Sequence, residues 1–319
     1  MGGYATVKTK INWPYGKRFA FTVFDDTDNT TLQNSPRIYQ FLFDLGIITT
    51  KSVWPIKGEH LPKIGGTTCA DPDYLEWVYR LKEQGFEIAL HNATYHTSKR
   101  EQAISGLEQF KKYFGEYPKI HVNHADCEDS IYWGDARLSG MNRLFYNLST
   151  RFRNRGKFLG NIMSSEFFWG DICKQHIKYV RNFVYSDINT LKICPYMPYI
   201  DKERPFVNNW FASSEGASCR AFCQTISEKN QDRLDEEGGA CLMYTHFGNA
   251  GFYEDGQLNS DFTRLMERLS RKNGWFVPVS TLLDYLQQER GNHVISARER
   301  NRLERKWLVE KVFITRGTT

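Results

Sequence analysis

The sequence predicts an α/β fold with mostly parallel strands. Three observations predict it. Short apolar runs alternate with amphipathic helical segments through roughly the first 125 residues, and a βαβ rhythm implies parallel strands. The helical segments carry their own punctuation, opening at Ser, Asp or a capping box and stopping at Gly. At 319 residues and 40% hydrophobic content, the chain can bury a large core, and an α/β barrel can absorb that length as one unit.

The elements follow in order. Arg18–Phe24 is expected as a strand, because Phe19-Ala-Phe-Thr-Val-Phe24 is an unbroken apolar run. Ser35–Leu45 is expected as a helix, with Ser35 as N-cap, Pro36 at the first position and Gly46 as its stop. Ile47–Trp54 reads as a second strand. Asp71-Pro72 opens a helix through Trp77, Val78 and Leu81 to Gly85, and Phe86–Leu90 is the third strand. Ser98-Lys-Arg-Glu101 has the capping-box spacing and starts a helix ending at Gly115, before a fourth strand at Lys119–Val122.

From Asp126 to Arg204 the pattern is less regular. Gln175–Val184 has helical spacing, and strands are expected at Phe183–Ile188 or Leu191–Tyr196. Later, Val207–Phe211 and Ala240–Thr245 read as strands around a polar helix at Ala217–Glu237. Leu258–Arg271 reads as a helix, Trp275–Pro278 as a short strand and Thr281–Gln288 as a helix. There is no internal repeat and no low-complexity linker. Residues 1–290 are therefore expected as one domain. Residues 291–319 form a basic extension, in which Leu303, Trp307 and Leu308 share a helical face that packs on it.

Composition narrows the function. A net charge of +5, from 42 basic against 37 acidic residues, is too mild for a nucleic-acid binder. No run approaches the ~20 apolar residues of a membrane span. Met1–Lys10 has no apolar core of a signal peptide, so a cytoplasmic location is expected. The seven cysteines are accordingly expected as free thiols. Cys219 and Cys223 have no second pair nearby that would complete a zinc knuckle. Nothing in the sequence sets the oligomeric state.

The chemistry begins at Asp25-Asp26, which closes the first strand. Aspartate is depleted in strands, and a buried carboxylate is costly unless it is paired or bound to a metal. Two at one rim suit a metal ligand beside a general base. His91 follows the third strand directly, at the carboxyl-terminal edge where parallel α/β folds carry their sites. With a helix starting near Ser98, His91 and His96 flank a loop. On a helix, residues five apart would diverge by roughly 140°; in a loop they can converge on one ion. Two imidazoles and a carboxylate form a divalent-metal site with positions left open. His246 closes the apolar strand ending Leu242-Met-Tyr-Thr-His246 and is placed for proton transfer.

In these residues the sequence resembles the polysaccharide deacetylases of the NodB type, metal-dependent carbohydrate esterases. Their first motif, Thr-Phe-Asp-Asp, stands here as Val23-Phe24-Asp25-Asp26. Their second, His-(Ser/Thr)-x-x-His, stands as His91-Asn-Ala-Thr-Tyr-His96, one residue longer. Their last, Leu-x-His at a late strand end, corresponds to the strand ending at His246. The resemblance spans about residues 15–287 and implies a distorted (β/α) barrel. It also implies Asp25 as general base, Asp26, His91 and His96 as metal ligands, and His246 as general acid. The ion implied is zinc, with cobalt, nickel or manganese as alternatives. The family's Arg-x-Pro motif after the fourth strand is absent; His121-Val-Asn-His124-Ala-Asp126 stands there, making Asn123 and His124 candidates to tune Asp25 or to meet substrate. Asn208-Asn209-Trp210 loosely matches the family's Asp/Trp-rich strand. Trp133, Tyr196 and Trp210 are candidates to stack on a sugar. The implied activity is hydrolytic removal of an acyl group, N-acetyl first, from a sugar, a glycan or a glycan precursor. The alternatives are hydrolysis of a non-sugar amide, or an inactive metal-containing barrel that binds glycan or protein.

Overall fold

The computed structural model describes residues 11–311. Met1–Lys10, on which the signal-peptide expectation rests, and residues 312–319 of the basic extension lie outside them.

Seven parallel strands close into a barrel. In chain order they are β1 (Phe19–Asp25), β2 (Thr50–Val53), β3 (Glu87–Leu90), β4 (Ile120–His121), β5 (Tyr179–Tyr185), β6 (Asn209–Ser214) and β7 (Ala240–Thr245). Each pairs in parallel with the next. The ring closes where β1 runs beside β7, from Ala20↔Ala240 to Asp25↔Thr245. A short parallel strand, Gly274–Phe276, pairs with the first half of β1. Tyr199–Ile200 adds antiparallel to β6. Because the strands are parallel, Asp25, Leu90, His121 and Thr245 all end on one rim, and the loops that follow them share one mouth.

β1 and β7 are buried along their whole lengths, as strands covered on both faces must be, and so their sequences are near-continuous apolar runs. Helices α1 (Ser35–Asp44), α2 (Pro72–Glu83) and α3 (Arg100–Phe114) pack outside. Asp71 caps α2 by accepting from the Tyr74 N–H at 3.0 Å. Two caps differ from the expected ones. At α1, Asn34 is the cap and Ser35 the first helical residue. At α3, the Lys99 N–H donates to Gln102 Oε1 at 3.0 Å, while the Ser98 N–H donates to buried Asp129 at 3.2 Å.

The helix expected over Gln175–Val184 is instead a short helix, Gly170–His176, followed by β5. The cause is local: β5 carries Arg181 and Asn182 into the barrel region, and these polar residues break the apolar signature of a buried strand. The polar helix expected over Ala217–Glu237 is two helices, Cys219–Thr225 and Glu228–Glu237. The final helix, Ala297–Val309, is capped by Ser296 with Glu299. Its Trp307 is buried against Tyr146 and Phe183, ring centroids 5.9 and 5.7 Å away. All seven cysteines are free. Among the described residues no helix is long and apolar enough to cross a membrane.

Candidate active site

The loop after β1 turns tightly. Asn29 adopts a left-handed φ of 58°, and the Thr30 N–H donates to the Thr27 carbonyl at 3.1 Å. The turn lies directly on Gly248, where a Cβ would sit 2.4 Å from the Asp28 carbonyl oxygen. Glycine at 248 is thus required for the close approach that aims Asp28 across the mouth.

Asp28 meets three histidines. Its Oδ1 is 3.2 Å from His91 Nε2 and 3.0 Å from His124 Nδ1, and those two nitrogens are 3.1 Å apart. Its Oδ2 is 3.1 Å from His246 Nε2. Asp28, His91 and His124 are buried and form a group that can hold a metal ion. The triangle fits one: an ion about 2.0 Å from each atom of a tetrahedral site spaces its ligands roughly 3.3 Å apart. The donor set, two imidazoles and a carboxylate, also suits a divalent cation with open positions.

Neighbours fix these ligands. Asn92, at φ 56°, accepts from the His124 N–H at 3.0 Å and donates to Asp129 Oδ2 at 3.0 Å. Trp54 packs against both His91 and His124. Burial opposes ionisation of Asp28. The charge of His91 and hydrogen bonds with His124, His246 and His91 outweigh it and hold the carboxyl well below its ordinary value. Burial lowers the His91 pKa against the pull of Asp26 and Asp28, which favours the neutral imidazole a metal needs. Burial also opposes protonation of His246, but its hydrogen bond with Asp28 and the charges of Asp26 and Asp28 raise it to about 9. His246 Nδ1 lies 3.0 Å from the Ala217 carbonyl.

Asp26 is held by a fork from β5. Arg181 Nη1 and Nη2 donate to its two carboxylate oxygens at 2.9 and 2.6 Å, a planar bidentate pair. Asp26, Asp28, His91, His246 and Arg181 line one pocket of about 130 Å³, walled by Trp133, Tyr146 and Phe158. Larger grooves, of about 630 Å³ beside Cys219 and about 1100 Å³ along the final helix, contain none of these histidines. Chemistry, not volume, locates the site.

The structure brings some expected residues together and not others. Asp26, His91 and His246 meet in the pocket. Asp25 does not reach it: fully buried, it accepts from Lys51 Nζ at 2.9 Å, Tyr39 Oη at 2.8 Å and the Phe247 N–H at 2.8 Å. His96 turns away: its Nε2 accepts from the Glu59 N–H at 2.7 Å and its Nδ1 lies 2.8 Å from the Thr97 carbonyl. Asp26 faces Arg181 and not the two imidazoles. Asn123 borders the pocket, locked to Ile131 through both ends of its amide. His124 belongs to the ligand triangle. Trp133 lines the pocket. Trp210 is core, 1% exposed, and Tyr196 stacks on His293 beside the final helix. Sequence spacing missed Asp28 and Arg181. The signal for Asp28 was present, since Asp26-Thr27-Asp28 continues past the strand end; for Arg181 it was a lone cation inside an apolar strand.

The barrel is of the polysaccharide deacetylase type. It is similar to the structure of a protein from Mycobacterium smegmatis described as a polysaccharide deacetylase, at TM-score 0.52 and 13% identity, covering 91% of this chain and 98% of that one. Further similar structures are one so described from Pseudomonas aeruginosa PAO1 (TM-score 0.46, 13% identity, 87% and 94% covered) and a PuuE allantoinase (0.47, 12%, 87% and 93%). No family model and no curated protein matches the sequence.

Proposed function

We propose that this protein is a metal-dependent hydrolase that removes an acyl group, N-acetyl first, from an amine borne on a sugar. The observation that carries the reading is that Asp28 and His91, the Asp26–Arg181 fork and His246 line one pocket, with His124 completing the Asp28–His91–His124 triangle. Asp28, His91 and His124 would hold a divalent ion, zinc in our assignment. Such an ion supplies Lewis-acid polarisation of the acyl carbonyl and charge stabilisation.

This chain's own residues do the rest. Asp26 accepts the proton of the attacking water, and Arg181 holds its carboxylate in place through the two-pronged hydrogen bond. The Arg that the family places after its fourth strand is thereby supplied from β5. His246, whose Nε2 lies 3.1 Å from Asp28 Oδ2, donates a proton from Nε2 to the departing nitrogen. Asp25, enclosed by Lys51 and Tyr39, takes no part in proton transfer. Trp133 and Tyr146 offer aromatic faces to the sugar. The seven free thiols fit a reducing compartment, and we assign a cytoplasmic acylated amino sugar as substrate.

Elemental analysis and turnover of single variants test this. Wild type is expected to carry about one divalent ion per chain. Asp28→Ala and His124→Ala are expected to lose it. Asp26→Asn is expected to keep the ion and lose about 10²–10⁴-fold in kcat, the contribution of a general base. His96→Ala is expected to keep both. Metal lost in His96→Ala but kept in His124→Ala would overturn the ligand set. Full activity after metal removal would overturn the mechanism.

A further inference from the structure

One segment of the molecule turns its apolar side outward. Helix α4 (Gly140–Ser149) buries Tyr146 and Asn147 and exposes Met141, Leu144, Phe145 and Leu148, at 78, 47, 47 and 57%. The spacing i, i+3, i+4, i+7 is that of a core-facing stripe, yet this stripe faces solvent. The following loop adds Phe152, Ile162 and Met163, at 45, 41 and 76%. Seven of the thirteen large apolar side chains exposed among the described residues thus lie between 141 and 163, where scattered single exposures would be ordinary.

The same stretch is strongly basic. From Ala136 to Ser165 it contains Arg143, Arg151, Arg153, Arg155 and Lys157 beside the buried Arg137, and no acidic residue. Arg143 pairs with Asp135 and Lys157 with Asp126. Arg151, Arg153 and Arg155 are exposed, and none of them has an ion-pair partner among the described residues. Tyr146, Asn154 and Phe158 of this segment also wall the candidate pocket, so the apolar-basic face and the pocket share one piece of chain.

We infer that this face docks the protein on an anionic lipid surface, with the pocket beside the bilayer. Apolar side chains interleaved with cations are what a headgroup boundary rewards, burying the former and pairing the latter. A second copy of the chain fits poorly, since a two-fold contact would set these cations against themselves. The final helix is also basic, but among the described residues beside it only Val294 and Val309 are exposed large apolar side chains, which is fewer than the seven gathered between 141 and 163. The inference does not rest on the hydrolytic reading, because binding is measured without turnover.

The test is co-sedimentation of the full chain with phosphatidylcholine vesicles, with and without about a third phosphatidylglycerol, at low and high salt. Expected are at least tenfold stronger partition onto the anionic vesicles and its decline with salt. Leu144→Ser/Leu148→Ser is expected to weaken binding at least tenfold, and Arg151→Ser/Arg153→Ser/Arg155→Ser on the order of a hundredfold. All these positions are exposed, so melting temperatures should match wild type. Three results would each overturn the proposal. The wild type stays in solution with anionic vesicles at low salt. The variants sediment like wild type while Arg298→Ser/Arg302→Ser/Arg305→Ser does not. The Leu144/Leu148 variant abolishes self-association in sedimentation velocity with no effect on vesicles, which would assign the face to a second copy.

Discussion

At the residue scale, three carboxylates in four positions do three different jobs. Asp25 belongs to the core, Asp26 to Arg181 and Asp28 to the imidazoles. Asp25 and Lys51 are both fully buried, and such a pair is costly to break from one side. Lys51→Met is therefore expected to destabilise the fold by about 3–5 kcal/mol in urea unfolding, with metal content per folded chain unchanged. Adding Asp25→Asn should restore part of that loss, because it removes the stranded charge. A Lys51→Met protein that folds normally but loses its metal would show that Asp25 serves the ion after all. The sequence made this acidic cluster visible, because carboxylates at a strand end are anomalous. Its division of labour was not legible, since strand residues point alternately to the two faces and the loop beyond is set by Asn29 and Gly248, far apart in the chain. The same limit applies to histidines: His91 follows β3 directly and was legible, whereas choosing between His96 and His124 required knowing that the loop after β4 folds over β3.

At the element scale, the regular half of the barrel was readable and the middle was not. β1 to β4 and their helices alternate in simple apolar rhythm, so period and caps sufficed. From Asp126 to Arg204 the chain is held by side chains distant in sequence. Glu304 on the final helix is fully buried. It accepts from the Ser139 N–H at 3.1 Å, from Asn142 Nδ2 at 3.0 Å and from Arg204 Nη2 at 3.2 Å. Arg204 in turn pairs with Asp201, which also accepts from Arg300 at 2.9 Å. One carboxylate thus ties the start of α4 to the barrel and to the C-terminal helix. Glu304→Ala leaves several buried donors and an under-compensated guanidinium. It is expected to cost about 3 kcal/mol of unfolding free energy, and Glu304→Gln less, because Gln keeps an acceptor for Ser139. Equal stability of Glu304→Ala and wild type in urea would refute this network's role.

At the scale of the whole molecule, the two ends of the barrel are specialised. The carboxyl-terminal rim carries the histidines and the pocket, while the opposite end serves stability, as is usual in this architecture. Glu87 marks that opposite end, at the start of β3. Its Oε2 accepts from Thr50 Oγ1 at 2.7 Å and from the Ser280 N–H at 3.1 Å, joining β2, β3 and the helix that begins at Val279. Burial raises its pKa above the ordinary 4.5, although hydrogen bonds from Ser280 and Thr50 and the charge of Lys119 pull the other way. The sign follows. The folded state holds this proton more tightly than the unfolded chain, so Glu87 favours folding most below its ordinary pKa. That contribution is lost as pH rises through the raised folded value. Comparing wild type with Glu87→Gln isolates the group, because every other titration cancels in the difference. Gln can accept both hydrogen bonds through Oε1 and carries no charge to bury. The variant should therefore gain stability relative to wild type as pH is raised from 4 toward 7 in urea unfolding, while its metal content stays at the wild-type level. A difference that is flat with pH would show that the carboxylate is solvated after all. A loss of metal would show that the two ends are not independent.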